Sequence, residues 1–527
     1  MTTQFSRFAL LLGLAATPLA RGDVDPLRRP NIVVVLADDL GYGDVQIANP
    51  RRGKIPTPRV DRMAREGMRF TDAHSSSGVC SPSRYSLLTG RYHWRTRLQS
   101  GIVGAFGRPL IAPGRLTLAS MLKERGYRTA CIGKWHLGWD WPIPEDRKAL
   151  LIAKPTSPGA PPTDAQLELW RTTFSQHIPG GPTTRGFDQY FGTDVPNWPP
   201  YCFIDDDRTV GLPSEFLPRK LLGNNLASLN GPAISGWTLE SILPTLADRA
   251  SAFIEQAAKG TDPFFLYLPL TTPHTPLAVN TAWKGKSDLN AYADLVMETD
   301  AVVGRMLDAI DHSGARENTL VIFTSDNGCA PYIGVKELEW KGHFPSGPLR
   351  GYKSDVWEGG HRVPFLVRWP GVTPAASRCD LLVQQADLMA TYADILGLTL
   401  PDDAGEDSVS FLPLIRGGAR PVRTNVVSQS MRGLLAIRKG DWKLIFGAGS
   451  GGWGEGRDDQ TGQLYNLADD LAESRNLYAE NPQRVAELTD LMGTIVRRGR
   501  STPGPTQRND VPVNWARFLS KGDAPAP

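Results

Sequence analysis

Cysteine is scarce: the 527 residues hold five, at Cys80, Cys131, Cys202, Cys329 and Cys379. They lie far apart and no two show C-x-x-C spacing, which argues against a zinc cage or a redox dithiol. Neither sign of charge dominates. The 58 basic and 55 acidic residues leave a formal net charge of +3, too small an excess to point to a nucleic-acid partner. Beyond the first 22 residues no apolar run approaches the roughly 18 uninterrupted residues of a membrane span. With 41% hydrophobic and 21% charged residues, the chain can bury a large core, and its length suits one big domain plus a smaller one.

The N-terminus differs from the rest. Arg7 precedes the apolar run Phe8 to Ala16, small residues continue to Ala20, and polar Arg21-Gly22-Asp23 follows. This is the layout of a secretory signal peptide over residues 1–22, cut near Ala20, which makes the mature protein secreted or periplasmic. An odd number of cysteines in an exported protein leaves one without a partner; if one is chemically consumed, the other four either pair or remain buried thiols.

Four short apolar runs rich in β-branched or aromatic residues stop abruptly at polar groups. Asn31 to Ala37 ends in Asp38-Asp39, and Thr129 to Gly133 ends in Lys134-Trp135-His136. Pro263 to Leu268 runs toward Pro273-His274, and Asn318 to Thr324 ends in Ser325-Asp326-Asn327-Gly328. Continuous apolar runs of this length fit strands buried on both faces of a mostly parallel sheet, with Leu116 to Arg125 and Leu243 to Ala258 as crossover helices. The fold class is therefore α/β. In such sheets a ligand sits beyond the carboxyl ends of the strands, where all four runs place groups able to bind a metal, an anion or a proton.

The segment Cys80-Ser81-Pro82-Ser83-Arg84-Tyr85-Ser86-Leu87-Leu88-Thr89-Gly90 reads as one short helix, with Ser81 as N-cap, Pro82 at the first turn and Gly90 as the stop. Cys80 then lies at the helix N-terminus, where free N–H groups favour an anion that Arg84 also reaches. A plain thiol nucleophile is one reading.

Cys80-Ser81-Pro82-Ser83-Arg84 followed by Leu88-Thr89-Gly90-Arg91 also resembles the C-x-P-x-R signature of the formylglycine-dependent (type I) sulfatase family. Asn31 to Gly43, Gly133 to Gly138, Pro273 to Pro276, Thr324 to Gly328 and Gly351 to Pro370 resemble sulfatase segments in the same order. The likeness covers roughly residues 30 to 480. It implies an alkaline-phosphatase-like sandwich, with a large mixed sheet between helices, and a small C-terminal α+β subdomain with an antiparallel sheet. It also implies a sulfuric ester hydrolase acting through a formylglycine gem-diol made from Cys80 by a maturation enzyme, with a sulfated-enzyme intermediate.

Position by position, the resemblance makes Asp38, Asp39, Asp326 and Asn327 the ligands of one calcium ion, an oxygen-only set suited to a hard cation, with magnesium the alternative. Residue 80, once converted, would join them. Arg84 and Lys134 would hold the aldehyde hydrate, His136 would be the base for the elimination, and His274 with Lys353 would serve the leaving alcohol. His177 and His312 read as structural, and His74, His93, His343 and His361 stay undecided. A further polar pocket residue common in the family cannot be assigned within Asp140 to Ser241.

That stretch is rich in tryptophan and proline, notably Trp139-Asp140-Trp141 and Asn197-Trp198-Pro199-Pro200-Tyr201. Its tryptophans read equally well as sugar platforms or as packing. Pro200 to Ser214 leans toward galactose- or N-acetylgalactosamine-6-sulfatases and bacterial polysaccharide sulfatases, making a sulfated saccharide the expected substrate. The alternatives are a phosphate or phosphonate monoesterase of the same superfamily, and a non-catalytic sugar-binding protein if Cys80 stays unmodified. The expected organisation is a signal peptide at 1–22, a catalytic domain at 23–420, a C-terminal subdomain at 421–500 with short strands and a helix from Pro482 to Arg497, and an extended, partly mobile tail at 501–527.

Overall fold

The computed structural model describes residues 29–154, 160–223, 227–456 and 460–519; the signal segment at 1–22 lies outside them. The ten strands of the main sheet are β1 (Asn31–Ala37), β2 (Met68–Phe70), β3 (Arg128–Lys134), β4 (Gln189–Thr193), β5 (Ile204–Asp205), β6 (Arg208–Thr209), β7 (Phe264–Pro269), β8 (Thr319–Ser325), β9 (Phe365–Arg368) and β10 (Ser377–Cys379). Their order across the sheet is β10-β2-β9-β8-β1-β7-β3-β4-β5-β6. The four runs expected as strands are the four adjacent strands β8, β1, β7 and β3, all parallel. Strands β9, β5 and β6 make the sheet mixed by pairing antiparallel with their neighbours.

The absence of a polar face along β1 follows from where its side chains go. Ile32, Val34 and Leu36 enter one apolar cluster, while Val33, Val35 and Ala37 enter another on the opposite face. The first face is covered by helices α2 (Cys80–Thr89), α3 (Leu118–Lys123) and α6 (Leu388–Ile395), through Leu87, Leu88, Leu118, Leu122, Met389 and Tyr392. The second is covered by α1 (Pro58–Glu66), α4 (Ile242–Ala257) and α5 (Ala291–His312), through Val60, Met63, Leu246, Ile254, Met306 and Ile310. Each fully buried side chain of this kind contributes about 1.5–3 kcal/mol, so the helix–sheet–helix sandwich is held chiefly by these two layers.

A second sheet is antiparallel, in the order β11 (Asn425–Gln429), β12 (Leu435–Lys439), β13 (Trp442–Ile445) and β14 (Gln463–Asn466). Helix α7 (Pro482–Arg498) packs Leu488, Met492 and Ile495 onto Val427, Leu435, Ile437 and Leu444. The two sheets are tied by buried ion pairs. Arg438 of β12 donates twice to Asp72, at 2.8 Å each, and Lys443 of β13 bridges Glu358 at 2.9 Å and Glu473 at 2.8 Å.

Of the tail expected to be extended and partly mobile, residues 501–519 fall among those described. That segment has no regular helix or strand, yet it is anchored: Asp510 pairs with Arg91 at 3.0 Å, Trp515 packs edge-on to Phe446, and Arg517 donates to the Arg432 carbonyl at 2.9 Å. All five cysteines are buried free thiols, so the option of paired cysteines is not realised. Among the described residues no helix is long and apolar enough to cross a membrane.

Removing one partner of a buried pair strands the other charge, at a cost of about 3–5 kcal/mol. Because Asp72 keeps Arg362 at 3.3 Å, Arg438→Ala is expected to fall short of that, lowering the unfolding free energy from urea titration by about 1.5–3 kcal/mol while leaving the far-ultraviolet circular dichroism unchanged before the transition. A loss of unfolding free energy below about 1 kcal/mol would show that the pairs do not join the sheets.

Candidate active site

Parallel register brings the polar strand ends together. Ala37 of β1 lies opposite Ser325 of β8, so Asp38-Asp39 and Asp326-Asn327 leave the sheet side by side. The next strands, β7 and β3, pair Tyr267 with Cys131, which carries Lys134 to the same edge. Asp39, at φ 68°, adopts the left-handed region that a non-glycine residue enters at a cost. Its carbonyl accepts from the Tyr292 hydroxyl at 3.1 Å and its N–H donates to Asp326 Oδ1 at 3.2 Å.

Helix α2 aims its first turn at this edge. Val79, in extended conformation, is the N-cap instead of Ser81, so Cys80 is the first helical residue. Ser81 instead accepts the Val103 N–H at 3.1 Å, a tertiary contact invisible to local capping preferences. Gly90 ends the helix at φ 64°, as expected. Cys80 Sγ lies 3.7 Å from Asp38 Oδ1. Burial pushes its thiol up to about 12, outweighing the opposite pull of Lys134 and Lys353. That shift works against the thiolate on which a plain cysteine nucleophile depends.

Nine of the ten expected site residues form one chain of contacts. Lys134 Nζ donates to Asp38 Oδ2 at 2.6 Å, and Arg84 donates to Asp326 Oδ2 through Nε at 3.0 Å and Nη2 at 2.8 Å. Lys353 Nζ donates to Asp39 Oδ2 at 2.7 Å, with His274 Nε2 at 3.6 Å from the same oxygen. Asn327 Nδ2 donates to Asp39 Oδ1 at 2.7 Å. His136, the tenth, shares a cavity of about 660 Å³ with Cys80, His274 and Lys353. Its backbone is left-handed, φ 52°, and its N–H is held by the Asp194 carbonyl at 3.1 Å and by Asp194 Oδ1 at 3.2 Å.

Three carboxylates thus face three cationic side chains, all nearly inaccessible to water. Burial alone would raise the Asp38 carboxyl, but Lys134, His274, Arg84 and Lys353 together hold it well below the usual range. Desolvation lowers both imidazoles: His274 falls to about 4, with Lys353 adding to the effect, and His136 is depressed as well, with Lys134 and Arg84 adding to it. The donor set fits a hard divalent cation. Asp38, Asp39, Cys80 and His274 offer ligand atoms within 4.8 Å of one another, and Asn327 Oδ1 is buried without a hydrogen-bond donor. An amide oxygen stranded among carboxylates is the acceptor that a calcium ion would use.

The histidines left undecided lie elsewhere. His74 bonds Asp72 and His361, His93 bonds Gln429, and His343 bonds Asp44. His177 pairs with Asp207 on the surface. Of the tryptophans weighed as platforms, Trp139 is fully buried, whereas Trp198 lines the cavity. Tyr332 and Trp453 also line it, and neither was legible in the sequence. Tyr332 follows the β8 turn by a few residues. Trp453 sits in the glycine-rich segment after β13, which by composition alone is only a loop.

That loop also braces Lys353. Its neighbour Ser354 is left-handed at φ 82° and is held by three bonds: its N–H to the Gly78 carbonyl at 2.6 Å, its carbonyl from the Met431 N–H at 2.8 Å, and its Oγ from the Trp453 N–H at 2.8 Å. A Cβ on Gly452 would meet the Ser354 carbonyl at 2.4 Å. Gly452→Ala is therefore expected to lower kcat at least about tenfold by displacing Lys353, with a thermal midpoint within about 5 °C of wild type. Unchanged turnover in the folded variant would show that the loop does not set the position of Lys353.

Known proteins resemble this chain over most of its length. The family model described as Sulfatase matches residues 30–398. An N-acetylgalactosamine-6-O-sulfatase of Bacteroides thetaiotaomicron is 31% identical over 513 residues, covering 89% of this chain and 94% of its own. Arylsulfatase G of Rattus norvegicus is 32% identical over 516 residues, covering 89% and 86%. A solved Bacteroides thetaiotaomicron structure, described in the context of glycosaminoglycan metabolism, superposes with a TM-score of 0.76 at 29% identity, covering 89% of this chain and 99% of its own. The helix–sheet–helix sandwich is the alkaline-phosphatase-like fold of these proteins, and the chain belongs to the sulfatase family, enzymes that hydrolyse sulfate esters.

Proposed function

We propose that this sulfatase removes sulfate from a sulfated saccharide, with 6-O-sulfated galactose or N-acetylgalactosamine as candidate units, the latter named for the Bacteroides thetaiotaomicron relative, and that it does so with formylglycine at residue 80 beside one calcium ion. The observation that carries the reading is Cys80 at a helix N-terminus, 3.7 Å from Asp38 and buried at the edge where Asp38, Asp39 and Asp326 meet. As formylglycine, residue 80 supplies a hydrated aldehyde with two hydroxyls on one carbon, one to attack sulfur and one to release sulfate. A maturation enzyme must make that group. The N-terminal segment, residues 1–22, supports export to the periplasm or beyond.

Asp38, Asp39, Asp326 and Asn327 would hold the calcium ion, which polarises sulfate oxygens when bound. The remaining side chains divide the work. Arg84 and Lys134, anchored on Asp326 and Asp38, hold the hydrated group and spread the negative charge that grows on the sulfate oxygens. Neutral His136 takes a proton from the hydroxyl that stays behind. His274 and Lys353 converge on Asp39 and stabilise or protonate the departing alcohol oxygen. The phosphate or phosphonate monoesterase reading is the competitor, and parallel assay of aryl sulfate and aryl phosphate separates the two.

Cys80→Ser is expected to abolish hydrolysis of 4-nitrophenyl sulfate, by at least about three orders of magnitude in kcat, and mass spectrometry of the Cys80 peptide should find an aldehyde in place of the thiol in active enzyme. Full activity in protein whose Cys80 is still a thiol would reject the formylglycine mechanism. The depressed imidazoles fix a second outcome. A base with lowered pKa stays neutral to lower pH, so the acid limb of kcat, which includes the sulfate-releasing half where His136 acts, should lie below the ordinary histidine value of about 6.5. A limb at or above that value would remove His136 from the role.

A further inference from the structure

Above the buried charges, the walls of the active-site cavity are aromatic. Trp198, from the segment after β4, has its indole N–H held by the Ala227 carbonyl at 2.7 Å and stands edge-on to His136 at 5.4 Å. Tyr332, after β8, and Trp453, from the loop after β13, approach from the other side of β1, with ring centroids 5.7 Å apart. They are 46% and 39% exposed, and two of the three strongly exposed aromatic residues among those described therefore sit in this one cavity. An exposed aromatic pair facing a cavity is solvent-facing apolar surface that a ligand can cover.

The titratable residues of the lining are Cys80, His136, His274, Tyr332 and Lys353, and no carboxylate or arginine among the described residues joins them. Lys353 is already engaged by Asp39. Among the described residues the lining therefore offers no free counter-charge for an anionic group on the alcohol side of the ester.

We propose that Trp198, Tyr332 and Trp453 form the seat of the leaving alcohol and select an uncharged pyranose ring carrying a single sulfate over a ring bearing a second sulfate or an attached uronate. The inference rests on the sulfated-saccharide reading above. The C–H face of a pyranose is apolar and stacks on an indole or phenol, while its hydroxyls keep their contact with water at the open side. A second anionic group carried into the same walls would lose hydration without gaining a partner.

The test uses the full-length enzyme with formylglycine confirmed by mass spectrometry, and follows sulfate release. The substrates are N-acetylgalactosamine 6-sulfate, its 4,6-disulfate, a 6-sulfated disaccharide with a terminal uronate, and 4-nitrophenyl sulfate. The neutral monosulfated sugar is expected to exceed both anionic sugars in kcat/KM by at least about tenfold. Trp453→Ala and Tyr332→Ala, both at exposed positions, should raise its KM about three- to tenfold, and Tyr332→Phe, which keeps the ring face, should raise it less than Tyr332→Ala. Equal or better turnover of the disulfate or the uronate disaccharide would overturn the selectivity, and an unchanged KM in the Trp453→Ala, Tyr332→Ala double variant would overturn the seat. Release from 4-nitrophenyl sulfate alone would overturn the pyranose assignment together with the saccharide reading, whereas failure on all four esters would reject sulfate ester hydrolysis itself.

Discussion

Three carboxylates taken out of water at the ends of adjacent strands are the constraint on which this molecule depends. Each of Asp38, Asp39 and Asp326 has a cationic partner within about 3 Å, Lys134, Lys353 and Arg84 respectively. Those partners come from distant parts of the chain, so the cluster exists only when β1, β3, β8, α2 and the loop before Trp357 are all in place. On the proposed reading, a divalent cation entering this balanced cluster would give it a net positive field. A sulfate ester, an anion, would then be drawn to the place where the proposed nucleophile and leaving-group side chains converge.

The central sheet was legible because its signal is local. Residues 31–37 have no polar face, and a strand without one belongs in a sheet covered on both sides; the two apolar clusters meeting on β1 are the realisation of that rule. The polar ends of four such runs pointed to one edge, and parallel register put them there. What could not be read locally were contacts that depend on tertiary context. The cap of α2 moved to Val79 because Ser81 is used by Val103. The wall residues Tyr332 and Trp453 come from segments whose composition says loop and nothing more. The tail from 501 to 519 looked free by composition but is held by single anchors such as Asp510 on Arg91.

The C-terminal module is more than an appendage to the sandwich. Its buried ion pairs to Asp72 and Glu358 fix its orientation, and its glycine-rich loop reaches back to brace Ser354 and to supply Trp453 to the cavity. Stability and chemistry therefore meet in the same contacts. Left-handed backbone marks both sides of the Lys353–Asp39 pair, at Asp39 itself and at Ser354 next to Lys353.

The central claim is that the oxygen cluster is a calcium site built around residue 80, and calorimetric titration of metal-stripped protein with calcium tests it most directly. The account predicts one ion bound per chain, with binding lost or weakened at least about a hundredfold in Asp39→Asn and in Asn327→Ala. No binding to the folded protein, or binding that both substitutions leave unchanged, would contradict it.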